Sequence, residues 1–285
     1  MKWDLIAINK LLGEEDPLPP YTVVNFIGKP FAGKTLLALQ TAWWIVHERG
    51  GSILYMDIDG SGDNFIQTWR DVFNLRYGFS PEAVTVHYLP MFARRTAKND
   101  ARVKHLYFDV PILEFFGIKA RIRISEEGKA TFHPEGQVKS QIANYSDVRV
   151  IIVDSFSTLC KLFSGTASFD GRARLTDWVY NELRDFALER KNEGNEIYFL
   201  VNHHVSINPQ MGVQKIAGGS EVLHNSKYAY LLDKIKLGRE EKKDYCRFYI
   251  YRYPNIPEFS KFCYLQYSDM GIIDVPEEDL KNLPK

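Results

Sequence analysis

Residues 28–35 read GKPFAGKT, and that octet restricts the fold more than any other feature of the chain. A G-x-x-x-x-G-K-T loop holds phosphate only when a buried strand delivers the first glycine and a helix starts at the lysine. Backbone N–H groups then converge on phosphate oxygens at the helix N-terminus. Both flanks are present: the apolar run YTVVNFIG leads in, and TLLALQTAWWIVHERG leads out to a stop at Gly50 and Gly51. The binding stretch is therefore Gly28, Lys29, Pro30, Phe31, Ala32, Gly33, Lys34, Thr35 and Leu36. The expected ligand is ATP or ADP with Mg²⁺, Lys34 neutralising the β and γ phosphates and the Thr35 hydroxyl reaching the metal.

The remaining pattern supplies a sheet around this loop. SILYMDID, VRVIIVDS (148–155) and EIYFLVNHHV (196–205) are apolar runs that end in polar residues, with a long helical pattern around Leu175 to Lys191. Strands alternating with helices predict an α/β fold with a mostly parallel central sheet flanked by helices, binding its ligand at the strands' C-terminal ends. LLDKIKLG, DYCRFYIYRYP and SKFCYLQYS predict a C-terminal antiparallel extension. Residues 3–12 read as a short amphipathic helix closed by Pro17, Pro19 and Pro20.

Polar residues at those strand ends are the catalytic candidates. Asp154 ends VIIVD, where a carboxylate can hold Mg²⁺ through its water shell, although such an acid also commonly caps the next helix. Asp57 and Asp59 end the strand after the phosphate-loop helix, and Asp59 is the better placed to orient an attacking water. Asn202, His203 and His204 end another strand at the same sheet edge, where His204 can sense the γ-phosphate; a buried, hydrogen-bonded histidine is the structural alternative.

Residues 90–145 break the alternation and read as an insertion in a single 1–285 domain. KARIRIS and KATFHP flank the turn EEGK, which predicts a β-hairpin. The region is expected to protrude, and its Arg94, Arg95, Lys98, Arg102, Lys104, Lys119, Arg121 and Arg123, with Phe92, Tyr107 and Phe108, form a candidate surface for single-stranded nucleic acid. In the plainer reading Arg121 and Arg123 are the solvated face of a hairpin, alternating with Ala120, Ile122 and Ile124.

Composition narrows the partners. Thirty-six basic residues balance 36 acidic ones, so any contact with DNA needs a local patch. Cys160, Cys246 and Cys263 fall in no metal or disulfide spacing and read as buried thiols. No signal-like or membrane-spanning stretch is present, which leads to the expectation of a cytoplasmic protein without a membrane partner.

Taken in order, the motifs resemble the RecA superfamily, in particular the archaeal and eukaryotic recombinase branch with RadA and its shorter paralogues such as RadB. INKLLG (8–13) resembles the opening "LD-x-LLGGG", YMDIDG (55–60) resembles "YIDTEG", and VDSFSTL (153–159) resembles the Walker B run. NHHV (202–205) stands for "TNQV", which puts His204 at the position of the nucleotide-sensing glutamine and Asp59 at that of the catalytic glutamate. GTASFDGRARL (165–175) lies where the first DNA loop falls, with Arg172, Arg174 and Lys161 as cations; AGGSEVLHNS (217–226) is similar to the segment after the second, where Lys215 is the lone cation. The segment 249–274 looks like the closing strands, and the resemblance covers about 3–89 and 146–275.

The departures bear on function. No helix-hairpin-helix domain precedes the core, no aromatic-x-x-Ala peg is found, Asp59 is one methylene short, and the "D-x-P" ATP cap reads Arg252-Tyr253-Pro254. Arg252 is thereby a candidate arginine finger acting on a neighbouring subunit. The resemblance implies an ATP-binding, ATP-hydrolysing protein that acts with DNA, single-stranded by preference, in recombination or repair. Its partners would be a recombinase or further copies of itself. The alternatives are an accessory paralogue with little turnover that regulates a recombinase, and a hexameric helicase or clock-type ATPase.

Overall fold

The strand runs 23–28, 52–57 and 148–154 are buried on both faces or nearly so, which suits the interior of a sheet covered on both sides. In the computed structural model they lie together. The structure describes all residues except 14, 61, 97–105, 164–168, 208–213, 217–219, 236–243, 258 and 285. Helix α1 (Ile6–Leu12) precedes β1 (Val23–Gly28) and α2 (Lys34–Arg49), followed by β2 (Ser52–Asp57), α3 (Gly62–Arg76) and β3 (Val86–Pro90). The inserted region supplies β4 (Arg94–Thr96), β5 (Leu106–Asp109), α4 (Pro111–Phe115), β6 (Ile118–Ile124) and β7 (Ala130–Gln137). The chain continues with β8 (Val148–Asp154), α5 (Phe156–Lys161), α6 (Phe169–Asn192), β9 (Tyr198–Ile207), β10 (Gln214–Ile216), α7 (Ser220–Asn225) and β11 (Tyr228–Ile235). It ends with β12 (Tyr245–Arg252), β13 (Phe262–Ser268), β14 (Gly271–Asp274) and α8 (Glu277–Leu280).

The main sheet runs β14-β13-β12-β11-β1-β9-β8-β2-β3, with β10 beside β9. From β11 to β3 neighbouring strands are parallel, and β12, β13 and β14 extend the sheet antiparallel. This is the expected mostly parallel core with its C-terminal extension. Register brings the chemistry to one edge: Gly28 pairs with His204, and Asp57 with Asp154.

One face of the sheet is covered by α1 and α2, through Trp3, Trp43, Phe26, Tyr230 and Phe248. Each fully buried side chain of that size contributes roughly 1.5–3 kcal/mol. The Asp274 carboxylate accepts from the backbone N–H groups of Ile6 and Ala7 at 2.8 Å, so the end of β14 caps the helix that starts the chain. Cys160 and Cys246 are buried and Cys263 partly so; all three are free thiols.

The other face carries α5, α6 and the inserted residues. These form a second, antiparallel sheet in the order β4-β5-β6-β7, and the β6–β7 hairpin closes through Ser125 to Lys129. The hairpin exists as expected, but it packs on the core instead of protruding from it. Ala120, Ile122, Ala130 and Phe132 share one core with Phe156, Leu175 and Val179 of α5 and α6. The alternation that was read as an exposed basic face has a second, apolar face, and burying it lays the insertion against α6. On the outer face Arg121 donates to Asp109 at 2.8 Å and Glu135 at 3.2 Å, and Lys119 stands 3.9 Å from Glu135. Those cations are answered locally. Lys98, Arg102 and Lys104, and the central parts of both candidate DNA loops, lie outside the described residues.

Candidate nucleotide site

The loop between β1 and α2 has the backbone of a phosphate cradle. Gly33 takes φ +79°, and a β-carbon there would sit 2.5 Å from the Tyr267 ring. A β-carbon on Gly28 would sit 2.6 Å from the Leu232 carbonyl oxygen. Both positions admit only glycine, and Tyr267 also donates to the Ala32 carbonyl at 2.8 Å, which fixes the loop from β13. Lys29, Pro30 and Phe31 are exposed, Phe31 at 94 %, while Ala32 and Leu36 are buried.

Lys34 donates to the carbonyls of Gly28 and Lys29 at 3.1 and 2.8 Å. Burial pulls its ammonium down to about 8, against the opposing pull of Asp154 and Asp59, and Lys161 adds to the lowering. Thr35 Oγ1 donates to Asp154 Oδ2 at 2.6 Å, so the hydroxyl and carboxylate expected around Mg²⁺ are in contact. The same Asp154 oxygen accepts from Tyr55 at 2.6 Å. Burial raises the Asp154 carboxyl above its ordinary range, although Thr35, Tyr55 and Asn202 work in the other direction.

Asp59 faces this group. Its Oδ1 accepts from Thr158 and, at 3.3 Å, from Ser155; its Oδ2 lies 3.5 Å from His204 Nε2. Burial alone would raise this carboxyl, but His204, Thr158 and Ser155 outweigh it and hold Asp59 below the usual range. His204 Nδ1 lies 3.5 Å from Lys34 Nζ, and its backbone N–H donates to Ser157 Oγ at 2.7 Å. The imidazole thus bridges the cation of the loop and the carboxylate that faces it. Lys34 presents a donor to Nδ1 and Asp59 an acceptor to Nε2.

The two acids of the YMDIDG strand end separate cleanly. Asp57 accepts from Gly60 N–H at 2.7 Å, Gly62 N–H at 2.8 Å and Tyr88 Oη at 2.6 Å, which makes it the anchor of the turn into α3. His203 is the buried, hydrogen-bonded histidine: its Nε2 lies 2.9 Å from Tyr180 Oη and 3.1 Å from Asn25 Oδ1. Arg252 lies elsewhere. It pairs with Ala229, whose β1 partner is Asn25, three residues before Gly28, or about 10 Å down the strand.

Sequence reasoning missed Tyr55 and Tyr267. A tyrosine inside an apolar strand needs a partner for its hydroxyl, and that requirement was the available signal for Tyr55.

The residues suit Mg²⁺ and a nucleotide on three counts. Two glycines let the loop backbone take its cradle conformation against Leu232 and Tyr267. A hydroxyl and a carboxylate, both oxygen donors, meet beside a lysine. Asn202 is fully buried next to Asp154, close enough to moderate its charge, yet neither amide atom has a partner in good hydrogen-bond geometry. Such an amide costs about 1–3 kcal/mol, a cost that a ligand oxygen or metal-bound water beside Asp154 would relieve.

Scanned against models of known protein families, the sequence matches none, and no curated protein matches it either. Among solved structures it is similar to the crystal structure of the RadB recombinase. Sequence identity is 18%, the TM-score is 0.56, and the alignment covers 96% of this chain and 98% of that one. A mostly parallel sheet with a phosphate loop after β1, acids ending β2 and β8, and an antiparallel extension is therefore the fold of a RecA-type core, of the kind the RadB recombinase has.

Proposed function

We propose that this chain is a Mg²⁺-dependent ATPase that works with DNA in recombination or repair. The observation that carries the reading is the meeting of Lys34, Thr35, Asp154, Asp59 and His204 at one sheet edge. Gly28 to Leu36 wrap the phosphates, and Lys34 leaves its loop carbonyls for the β and γ phosphate oxygens. Thr35 would hold Mg²⁺ directly and Asp154 would hold it through water; the metal supplies charge stabilisation on the phosphoryl oxygens. Asp59, kept ionised by its three donors, orients the attacking water, and His204 reports on the γ-phosphate from between Lys34 and Asp59. The likeness to a recombinase supports DNA and further subunits as partners.

Asp59 is also the feature that favours the second reading, an accessory protein that grips nucleotide with little turnover. A carboxylate with three local hydrogen bonds and one methylene less reach is poorly free to follow a water. Phosphate release with and without single-stranded DNA decides between them. The ATPase reading expects turnover that DNA stimulates and that Asp59→Asn abolishes; nucleotide binding without turnover in either condition assigns the accessory role.

A further inference from the structure

The insertion and α6 enclose a cleft that the nucleotide site does not use. Its volume is about 260 Å³, and it lies between the end of the β6–β7 hairpin and the first turns of α6. Lys129, Thr131 and His133 line it from the hairpin side, and Asp170, Gly171 and Arg174 from the helix. The floor is closed: a β-carbon on Gly171 would meet Phe163 at 2.8 Å and the Ala130 carbonyl oxygen at 3.2 Å, so helix and strand touch beneath the opening.

Charge distinguishes this cleft from the rest of the hairpin. Lys119 and Arg121, further along β6, are tied to Glu135 and Asp109. The Lys129 ammonium and the Arg174 guanidinium have no ion-pair or hydrogen-bond partner among the described residues. Both are exposed, and they approach the cleft from opposite walls. Thr131 and His133, 2.8 Å apart, add a hydroxyl and an imidazole beside Lys129. The Phe132 ring is 1% exposed and packs on Trp178, which leaves the exposed His133 imidazole as the ring that faces the cleft. Two exposed cations on opposite walls, with one hydroxyl and an imidazole beside them, suit the phosphates of a nucleic-acid backbone more than the edges of its bases.

We propose that a single strand of nucleic acid crosses this cleft, its phosphates held by Lys129 on one wall and Arg174 on the other. The proposal rests on the reading that the protein works with DNA, and it adds where the strand lies: across the seam between the insertion and the core. Asp170, the one acid in the cleft, opposes the strand and tempers its affinity. Recognition is independent of base sequence.

The test is the salt dependence of binding to a fluorescent oligo-dT, for the full chain, K129A/R174A and D170N. Loss of two phosphate contacts lowers the slope of log K against log salt by about 1.4, while nucleotide binding is unchanged, and D170N binds more tightly than wild type. If wild type binds and the double variant keeps the same slope, the cleft is overturned while the DNA reading stands. If wild type binds no oligo-dT at low salt, both fall. Equal competition by poly-glutamate at matched charge would show a site for anions in general and would likewise overturn the proposal.

Discussion

Tyr55 connects the sheet to the Thr35–Asp154 pair through a single hydroxyl. Its ring fits its slot because Gly62 has no side chain, a β-carbon there falling 2.4 Å from the ring. Its Oη shares Asp154 Oδ2 with Thr35. Groups that orient a metal-holding carboxylate are typically worth 10- to 100-fold in metal affinity. Tyr55→Phe should therefore raise the Mg²⁺ concentration needed to tighten nucleotide binding by about that factor, with binding in EDTA unchanged. Titrations at graded Mg²⁺ check this, and an unaltered Mg²⁺ requirement counts against it. His203 gives a second prediction. Burial, with His204 and Lys34 adding to it, pushes this imidazole down to about 3 from its ordinary 6.5. The unfolded chain then binds the proton that the folded chain refuses, so stability is full above about 6.5 and falls as pH drops towards 3. Between pH 7 and pH 5 the loss is about 2 kcal/mol. His203→Gln should be less stable at pH 7 and show a smaller decline to pH 5, read by urea unfolding at both. At this scale the sequence was legible where spacing carries the chemistry, as at Lys34, Thr35 and Asp154. It favoured Asp59 over Asp57, and the structure shows what engages Asp57 instead, the turn at Gly60 to Gly62. The partner of Tyr55 was illegible because strand pairing brings it from about a hundred residues along the chain.

At the scale of elements, the insertion shows how a correct local reading can mislead about packing. The alternation of Arg121 and Arg123 with Ala120 and Ile122 is a true strand pattern, and the hairpin pairs Ile122 with Phe132. What period-two alternation cannot name is the partner of the apolar face, which turns out to be α6, some forty residues on. Phe132, 1% exposed in that interface, should cost about 3–5 kcal/mol when cut to alanine. Arg121→Ala, on the outer face, should cost under about 1 kcal/mol. Thermal or urea unfolding separates the two, and near-equal small losses would mean that the insertion is an appendage after all. The strands of the central sheet were legible because each ends at a polar residue after an apolar run. β4 and β5 were not, being short and without such a run.

Across the whole molecule, Arg252 and the phosphate loop sit at different levels of the sheet, so this arginine is not placed to serve its own subunit's site. If it acts as a finger, it acts on a neighbour, and mixing Arg252→Ala with Lys34→Ala subunits should restore activity at mixed interfaces beyond the sum of the separate variants. Mixed particles with no such gain would remove that role. The proposed ATPase, however, depends on nucleotide occupying the loop from Gly28 to Leu36. The direct measurement is calorimetric titration of ADP and ATP with Mg²⁺ into wild type and Lys34→Ala. Loss of a charge-assisted contact worth about 1.5–3 kcal/mol predicts roughly 10- to 100-fold weaker binding in the variant, and equal affinity in the two proteins would contradict the account.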